Sequence, residues 1–377
     1  MSNFPHSEPL REIISEQISL SPQQRITFAQ YMDLVLYHPQ YGYYGSGQVA
    51  IGAEGDFFTS SSLGADFGQL WAEQFLEIAE ILGFPQPFYL VEVGAGLGYF
   101  ANDVLNYLQE KSPTLYNSLA YIVIENCQIL AEKQKSFLEN HHHVIAWKTW
   151  PEIEDNSLTG CIFSNELIDA FPVHQVVFCQ GRLKEIYLNN QLQEVIAPLS
   201  TDKILEYFEF LSINISSENY RTEVNLAALD WLENVANKLK KGYVITVDYG
   251  YSAEKYYHPQ RYQGTLQCYW QHQRHNDPYR YLGYQDITTH VNFTALEKQG
   301  LQVGLETLGF TKQGMALMAL GLGDKLAELS TPKYDLPKIL QRRDALHQLI
   351  DPAGLGNFGV LIQGKGISTT LRALQQY

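Results

Sequence analysis

Cysteine is scarce and so is charge. The 377-residue chain has four cysteines, Cys127, Cys161, Cys179 and Cys268, and no C-x-x-C pair. That spacing argues against a disulfide framework or a common zinc module and points to a reducing compartment. Long apolar runs are missing as well, none approaching the ~18 residues of a membrane span. The chain's start has no apolar signal-peptide core. It is not Arg-rich and carries Glu8 and Glu12, so no transit peptide is expected either. These absences together predict a soluble, cytoplasmic protein with no membrane insertion. Basic residues are the minority, 26 Lys and Arg against 41 Asp and Glu, for a net charge of −15. An acidic surface repels phosphate backbones, which excludes nucleic acid as a partner and favours a basic or cationic one.

Apolar residues are plentiful, at 45% of the chain, enough for a large core. The length fits two domains or one elaborated domain. Residues 1–20 are mixed in character. Ser21, Pro22 and Gln24 resemble a capping box opening a helix through Ile26, Phe28, Met32, Val35 and Leu36. A second helix is predicted from Leu63 to Leu82, closed by Gly83. Short apolar runs then alternate with helical patterns: Phe88–Val93, Tyr121–Ile124, Val144–Ile145, Cys161–Phe163 and Tyr243–Val247. This alternation predicts βαβ units and a mainly parallel sheet. Further strands are expected near 303–308 and 358–363, with a helix near 293–299.

Two segments break the rhythm. Residues 174–200 read as hairpins, with a Gln180-Gly181 turn. Residues 251–290 are rich in Tyr, His, Gln and Gly with weak periodicity, and a loop of that length is usually functional. Tyr220–Asn225 is expected to open a helix running to Gly242, with Glu223 matching its dipole. His141–His143 reads as a solvated loop. His272 and His275 lack the Cys or His partners a metal site needs, so no metal is expected.

The sharpest local signal is Leu90-Val91-Glu92-Val93-Gly94-Ala95-Gly96-Leu97-Gly98, a buried strand meeting glycines that admit a ligand to the backbone. The spacing is G-x-G-x-G. Dinucleotide sites favour G-x-G-x-x-G, but Tyr99 stands where that last glycine would be, so a dehydrogenase is disfavoured. An E-x-G-x-G-x-G loop is typical of S-adenosylmethionine sites. The next strand ends at Glu125, whose two acceptor oxygens match the vicinal hydroxyls of a ribose.

Several separated motifs resemble the MidA family of class I methyltransferases. They are Ile26-Thr27-Phe28-Ala29-Gln30-Tyr31-Met32, His38-Pro39-Gln40-Tyr41-Gly42-Tyr43-Tyr44, Gly55-Asp56-Phe57-Phe58-Thr59-Ser60 and Phe67-Gly68-Gln69. The glycine loop, Asn165–His174, Asp248-Tyr249-Gly250-Tyr251, Arg261–Leu266 and Gly283–Phe293 match as well. The chain departs from the pattern at Ser61-Ser62, where many relatives have Pro-Glu.

The resemblance implies an α/β class I (Rossmann-like) fold, a seven-stranded mostly parallel sheet whose last strand is antiparallel. It implies S-adenosyl-L-methionine as cofactor and, for the mitochondrial relatives, dimethylation of an arginine on a complex I core subunit. On this reading residues 1–87 are an N-terminal helical region covering the cofactor site. Residues 88–377 are the methyltransferase core, with insertions at about 174–222 (hairpins) and 251–290 (a substrate lid). Expected cofactor contacts are Glu92, Gly94, Ala95, Gly96, Gly98 and Glu125, with Thr59 and Ser60, a segment the resemblance places over the cofactor.

An arginine nucleophile is always charged near neutrality, and carboxylates that grip two of its nitrogens can hold it. Candidates are Asn165 and Glu166 after the fourth strand, and Asp169 three residues on, expected on the same helical face. Asp248 at the end of the fifth strand is another. Arg261, Gln285, Asp286 and His290 are assigned to the lid. The leading expectation is a protein-arginine methyltransferase acting on a complex I-type subunit during assembly. The alternatives are a non-catalytic cofactor-binding assembly chaperone and a small-molecule methyltransferase.

Overall fold

The computed structural model describes residues 5–47, 59–271, 273–329 and 335–375. Residues 55–58 of the Gly55–Ser60 motif, and His272, lie outside the described residues. The chain divides into two compact units. One contains residues 58–167, 233–249 and 299–377. The other contains residues 1–57, 168–232 and 250–298. The N-terminal segment therefore assembles with both insertions, and the boundary falls at residue 57, where the sequence reading had drawn it at 87.

The first unit is built on a seven-stranded sheet: β1 (Phe88–Val93), β2 (Leu119–Ile124), β3 (Ile145–Lys148), β4 (Leu158–Asn165), β5 (Leu239–Asp248), β6 (Glu306–Lys312) and β7 (Gly359–Lys365). The strand order is β3-β2-β1-β4-β5-β7-β6. All neighbours are parallel except β7, which runs antiparallel to β5 and to β6. β1 and β4 are buried almost throughout, as a sheet covered on both faces requires. The Asp66–Ile81 helix buries Phe67, Leu70, Trp71, Phe75 and Ile78, and Phe100 stacks on Phe163 of β4 at 4.6 Å. The strand order reverses at β1/β4, so the carboxyl ends of β1, β4 and β5 are neighbours: Val93 pairs with Ser164, and Asn165 with Val247. In open α/β sheets this crevice is where ligands bind.

The second unit holds a five-stranded antiparallel sheet and two small sheets. Several expectations need correction here or in the first unit. Residues 7–20 form a helix that buries Leu10, Ile14 and Ile18 at four-residue spacing. The next helix starts at Phe28, not Ser21, because Thr27 and Gln30 complete the reciprocal cap: Thr27 N–H donates to Gln30 Oε1 (2.9 Å) and Gln30 N–H to Thr27 Oγ1 (3.1 Å).

Tyr220–Val224 is a strand paired with His174–Cys179, and the helix begins only at Leu226, capped by Asn225. The β-branched Thr222 and Val224, buried beside Glu223, suit a two-faced strand better than a helix start. His141, expected in a solvated loop, is buried and bonds Tyr116 and Asn106.

Residues 251–290 are not one open loop. They carry a short helix and a three-stranded sheet, and their Cys268, Leu282 and Ile287 pack with Leu10, Ile14 and Phe28.

Candidate active site

The glycine loop leaves β1 through three left-handed glycines, Gly94 (φ 73°), Gly96 (φ 56°) and Gly98 (φ 85°). A side chain is disfavoured at each. A Cβ on Gly94 would also meet Leu167 Cδ1 at 2.8 Å. Gly98 precedes the Tyr99–Lys111 helix, whose first N–H groups have no partner within the helix. Ala95 is buried under the turn.

Glu92, on β1, is buried and accepts a 2.6 Å hydrogen bond from the Tyr121 hydroxyl. Burial pushes its carboxyl up to about 7, against the pull of the Tyr121 bond, and the Glu125 charge adds to the push. Glu125 follows β2 and is fixed on both oxygens. Cys127 N–H donates to Oε1 (2.9 Å) and Gln134 Nε2 to Oε2 (3.0 Å). Burial raises its carboxyl also, while those bonds lower it. Each oxygen retains lone-pair capacity for a ribose hydroxyl.

At the end of β4, Glu166 takes the left-handed conformation (φ 50°), an uncommon state for a residue with a side chain. Its N–H donates to Val247 O (2.9 Å), and its Oε1 accepts from Ser60 N–H and from Asn165 Nδ2, each at 3.2 Å. Asn165 Oδ1 and Ser164 Oγ are buried with no hydrogen-bond partner among the described residues. Asp248 is buried at the end of β5, its Oδ1 accepting from Tyr249 N–H at 2.8 Å. Ser60 opens a short turn, Ser60–Ser62, tied by Thr59 N–H to Ser62 Oγ (3.1 Å), and Ser60 Oγ bonds Gln313 (3.3 Å). The glycine loop, Glu125, Asn165, Glu166, Asp248, Thr59 and Ser60 thus all belong to the first unit.

The remaining candidates belong to the second unit. No helix joins Glu166 to Asp169: a 3₁₀ turn, Ile168–Ala170, holds Asp169, so the shared helical face expected for the pair does not exist. Asp169 O accepts from Thr289 N–H at 2.8 Å; burial raises the hydroxyl pKa of Tyr44 and Tyr269, and the Asp286 and Asp169 charges add to it. Gln285 is buried and donates to Pro278 O at 2.8 Å, a structural bond. Arg261 lies over the Tyr251 ring (3.8 Å) and donates to Lys255 O rather than to an acid. His290 stacks on the same ring at 4.8 Å. Burial and the Arg261 charge depress its imidazole to about 4, so it is neutral at pH 7 and only a weak base.

One contributor, Gln134, is not singled out by the sequence. Gln134 is fully buried and ties the glycine loop to Glu125, donating to Gly96 O at 2.8 Å. A polar residue in register with Leu130 and Leu138 on the buried face of its helix was the available signal. Glu223 is buried in the second unit, where Thr265 N–H (2.9 Å) and Leu266 N–H (3.4 Å) donate to it.

A family model described as S-adenosyl-L-methionine-dependent methyltransferase matches residues 70–311. The chain belongs to this family. It is an S-adenosylmethionine-dependent methyltransferase, and the glycine loop, Glu92 and Glu125 are chemically suited to that nucleoside cofactor. The chain is 29% identical to a COG1565 superfamily member from Burkholderia thailandensis solved with S-adenosyl-homocysteine bound, with a TM-score of 0.85 over 98% of this chain and 95% of that one.

Among curated proteins, it is 25% identical to the Drosophila melanogaster "Protein arginine methyltransferase NDUFAF7 homolog, mitochondrial", over 93% of this chain and 83% of that protein. It is 26% identical to the Homo sapiens "Protein arginine methyltransferase NDUFAF7, mitochondrial", over 95% and 84%. These relatives carry mitochondrial names, which overturns the cytoplasmic location expected from the chain's start and its cysteines. Composition of a folded enzyme does not encode its compartment.

Proposed function

We propose that this methyltransferase acts on an arginine of a protein, and that the protein is a core subunit of a complex I-type NADH dehydrogenase during assembly. The carrying observation is Glu166 with Asn165 at the carboxyl end of β4, one strand from the glycine loop. Bound S-adenosylmethionine supplies an electrophilic methyl group. The chain's own task is then to hold a cation in line with it. The Glu166 carboxylate, fixed through Oε1 by two donors, suits the forked N–H groups of a guanidinium. The buried Asn165 Oδ1 is a further acceptor beside it. Asp248 is read as a second acid orienting the substrate, and the tyrosine-rich 251–290 segment as a surface that meets the substrate protein. The named activity of the relatives and the acidic net charge support the same reading.

The test is incubation with labelled S-adenosylmethionine and a basic complex I core subunit, with peptide mass spectrometry, in parallel with Glu166→Gln. Arginine methylation by the wild type, lost in a variant that still binds cofactor, is expected. A wild type that binds the subunit and the cofactor without transfer is an assembly chaperone, and transfer to a metabolite alone makes it a small-molecule enzyme. Either result overturns the proposal.

A further inference from the structure

Gln134, on the Gln128–Phe137 helix, is wholly buried and uses all of its amide. Its Oε1 accepts from the Trp147 indole N–H on β3 at 2.8 Å. Its Nε2 donates to Gly96 O (2.8 Å) and to Glu125 Oε2 (3.0 Å). Only one amide orientation satisfies these partners. A flip would face a carbonyl oxygen against two acceptors and leave the indole N–H facing an NH₂ group.

We propose that Gln134 is a positioning residue for the cofactor: it locks the Glu125 carboxylate to the glycine loop, and Trp147 sets the orientation of its amide. Helix, loop and strand end are thereby joined at one side chain. The loop glycines gain no rigidity from side chains of their own, so their register with Glu125 needs an outside tie. Losing the donor also leaves Glu125 Oε2 half-buried with one partner fewer, at a site where charge is already disfavoured.

Protonation gives this role a signature. Glu125 is faced by the N–H groups of Asn126 and Cys127, by Gln134, and by the Glu92 carboxylate, and Lys135 lies over the Trp147 ring at 5.6 Å. In the wild type burial raises the Glu125 carboxyl and the Gln134 bond lowers it, and protonation of Glu125 removes an acceptor from a ribose hydroxyl, so S-adenosylhomocysteine binding is expected to weaken as pH falls. In Gln134→Glu a second carboxylate is set against Glu125 and Gly96 O. Binding is then roughly 10- to 100-fold weaker at pH 8 and recovers on acidification, when the new carboxyl gains a proton to donate.

The experiment is calorimetric titration of S-adenosylhomocysteine from pH 5.5 to 8.5 into wild type, Gln134→Glu, Gln134→Leu, Trp147→Phe and the Leu/Phe double variant. Opposite pH slopes for wild type and Gln134→Glu are expected. Trp147→Phe should weaken binding several-fold by itself and add nothing to Gln134→Leu. Parallel pH slopes, or additive losses in the double variant, overturn the inference. If Gln134→Leu does not fold, the pH slopes of Gln134→Glu and Trp147→Phe decide. These readouts concern cofactor binding alone and are independent of which substrate is methylated.

Discussion

Ser60 N–H donates to Glu166 Oε1 at 3.2 Å, joining residues 106 positions apart. The bond comes from backbone, so Ser60→Ala retains it. Ser60→Pro deletes it while suiting the fold: Ser60 is the first residue of its turn, a favoured proline position, and Thr59 is already extended (φ −98°, ψ 159°). Methyl transfer should therefore fall about tenfold or more in Ser60→Pro, the scale of one hydrogen bond to a charged group. It should stay near wild type in Ser60→Ala. Equal rates in both variants would remove this anchor from the account of Glu166.

Gly96→Val should abolish measurable S-adenosylhomocysteine binding. The residue sits at φ 56°, where a β-branched side chain is a true outlier, so the turn that the glycine loop needs in order to serve as the cofactor site is lost. Isothermal calorimetry reads the result directly, and retained affinity would refute the loop as the cofactor site.

The fold core was legible because its signals are local and repeated. Phe88–Val93 appears at its observed bounds, and the other sheet strands within a few residues, since buried parallel strands read as apolar runs. Asn165 and Glu166 stand out in the sequence by their place at a strand's end, and the structure puts Asn165 last in β4 with Glu166 directly after it. Other features were hidden by contacts distant in sequence. Glu223 looks like a helix-start acid until its donors, some forty residues later, are in place. Gln134 is one polar residue in a helix until Gly96 and Trp147 surround it. The 251–290 segment shows no periodicity because its short strands pair with one another and its apolar residues pack on the N-terminal helices. The helix start is misplaced at Ser21 because Ser21 and Gln24 share the cap spacing, whereas only Thr27 and Gln30 have the apolar run directly after the cap.

Glu92 makes stability depend on pH in a direction opposite to an ion-paired acid. Its folded pKa, about 7, exceeds the ordinary 4.5, so the folded state holds the proton more tightly. The resulting stabilisation is complete below the ordinary carboxylate value and is lost as pH rises through about 7. The window is worth about 3 kcal/mol at ~1.4 kcal/mol per pH unit. Glu92→Gln keeps an acceptor for the Tyr121 hydroxyl and cannot titrate. Denaturant unfolding of the cofactor-free protein should show the variant gaining on the wild type from pH 5 to pH 8.5. A constant difference across that range would show that Glu92 does not titrate there.

Glu223 and Gly264 should be energetically coupled. Thr265 N–H, Thr265 Oγ1 and Leu266 N–H donate to the buried carboxylate at 2.9, 3.2 and 3.4 Å, and the Tyr256 hydroxyl lies at 3.4 Å. Gly264 turns the chain onto it at φ 76°, and a Cβ there would lie 2.1 Å from Glu223 Oε1. Glu223→Ala strands buried backbone donors and should destabilise by about 3 kcal/mol. Gly264→Ala carries both the clash and the left-handed penalty of about 1 kcal/mol. In the double variant the carboxylate is gone and the clash with it, so only the backbone penalty remains. The combined loss should fall short of the sum by 1 kcal/mol or more, about the coupling of residues in contact. Strict additivity in the unfolding free energies would mean that the 264–266 turn is not held by Glu223.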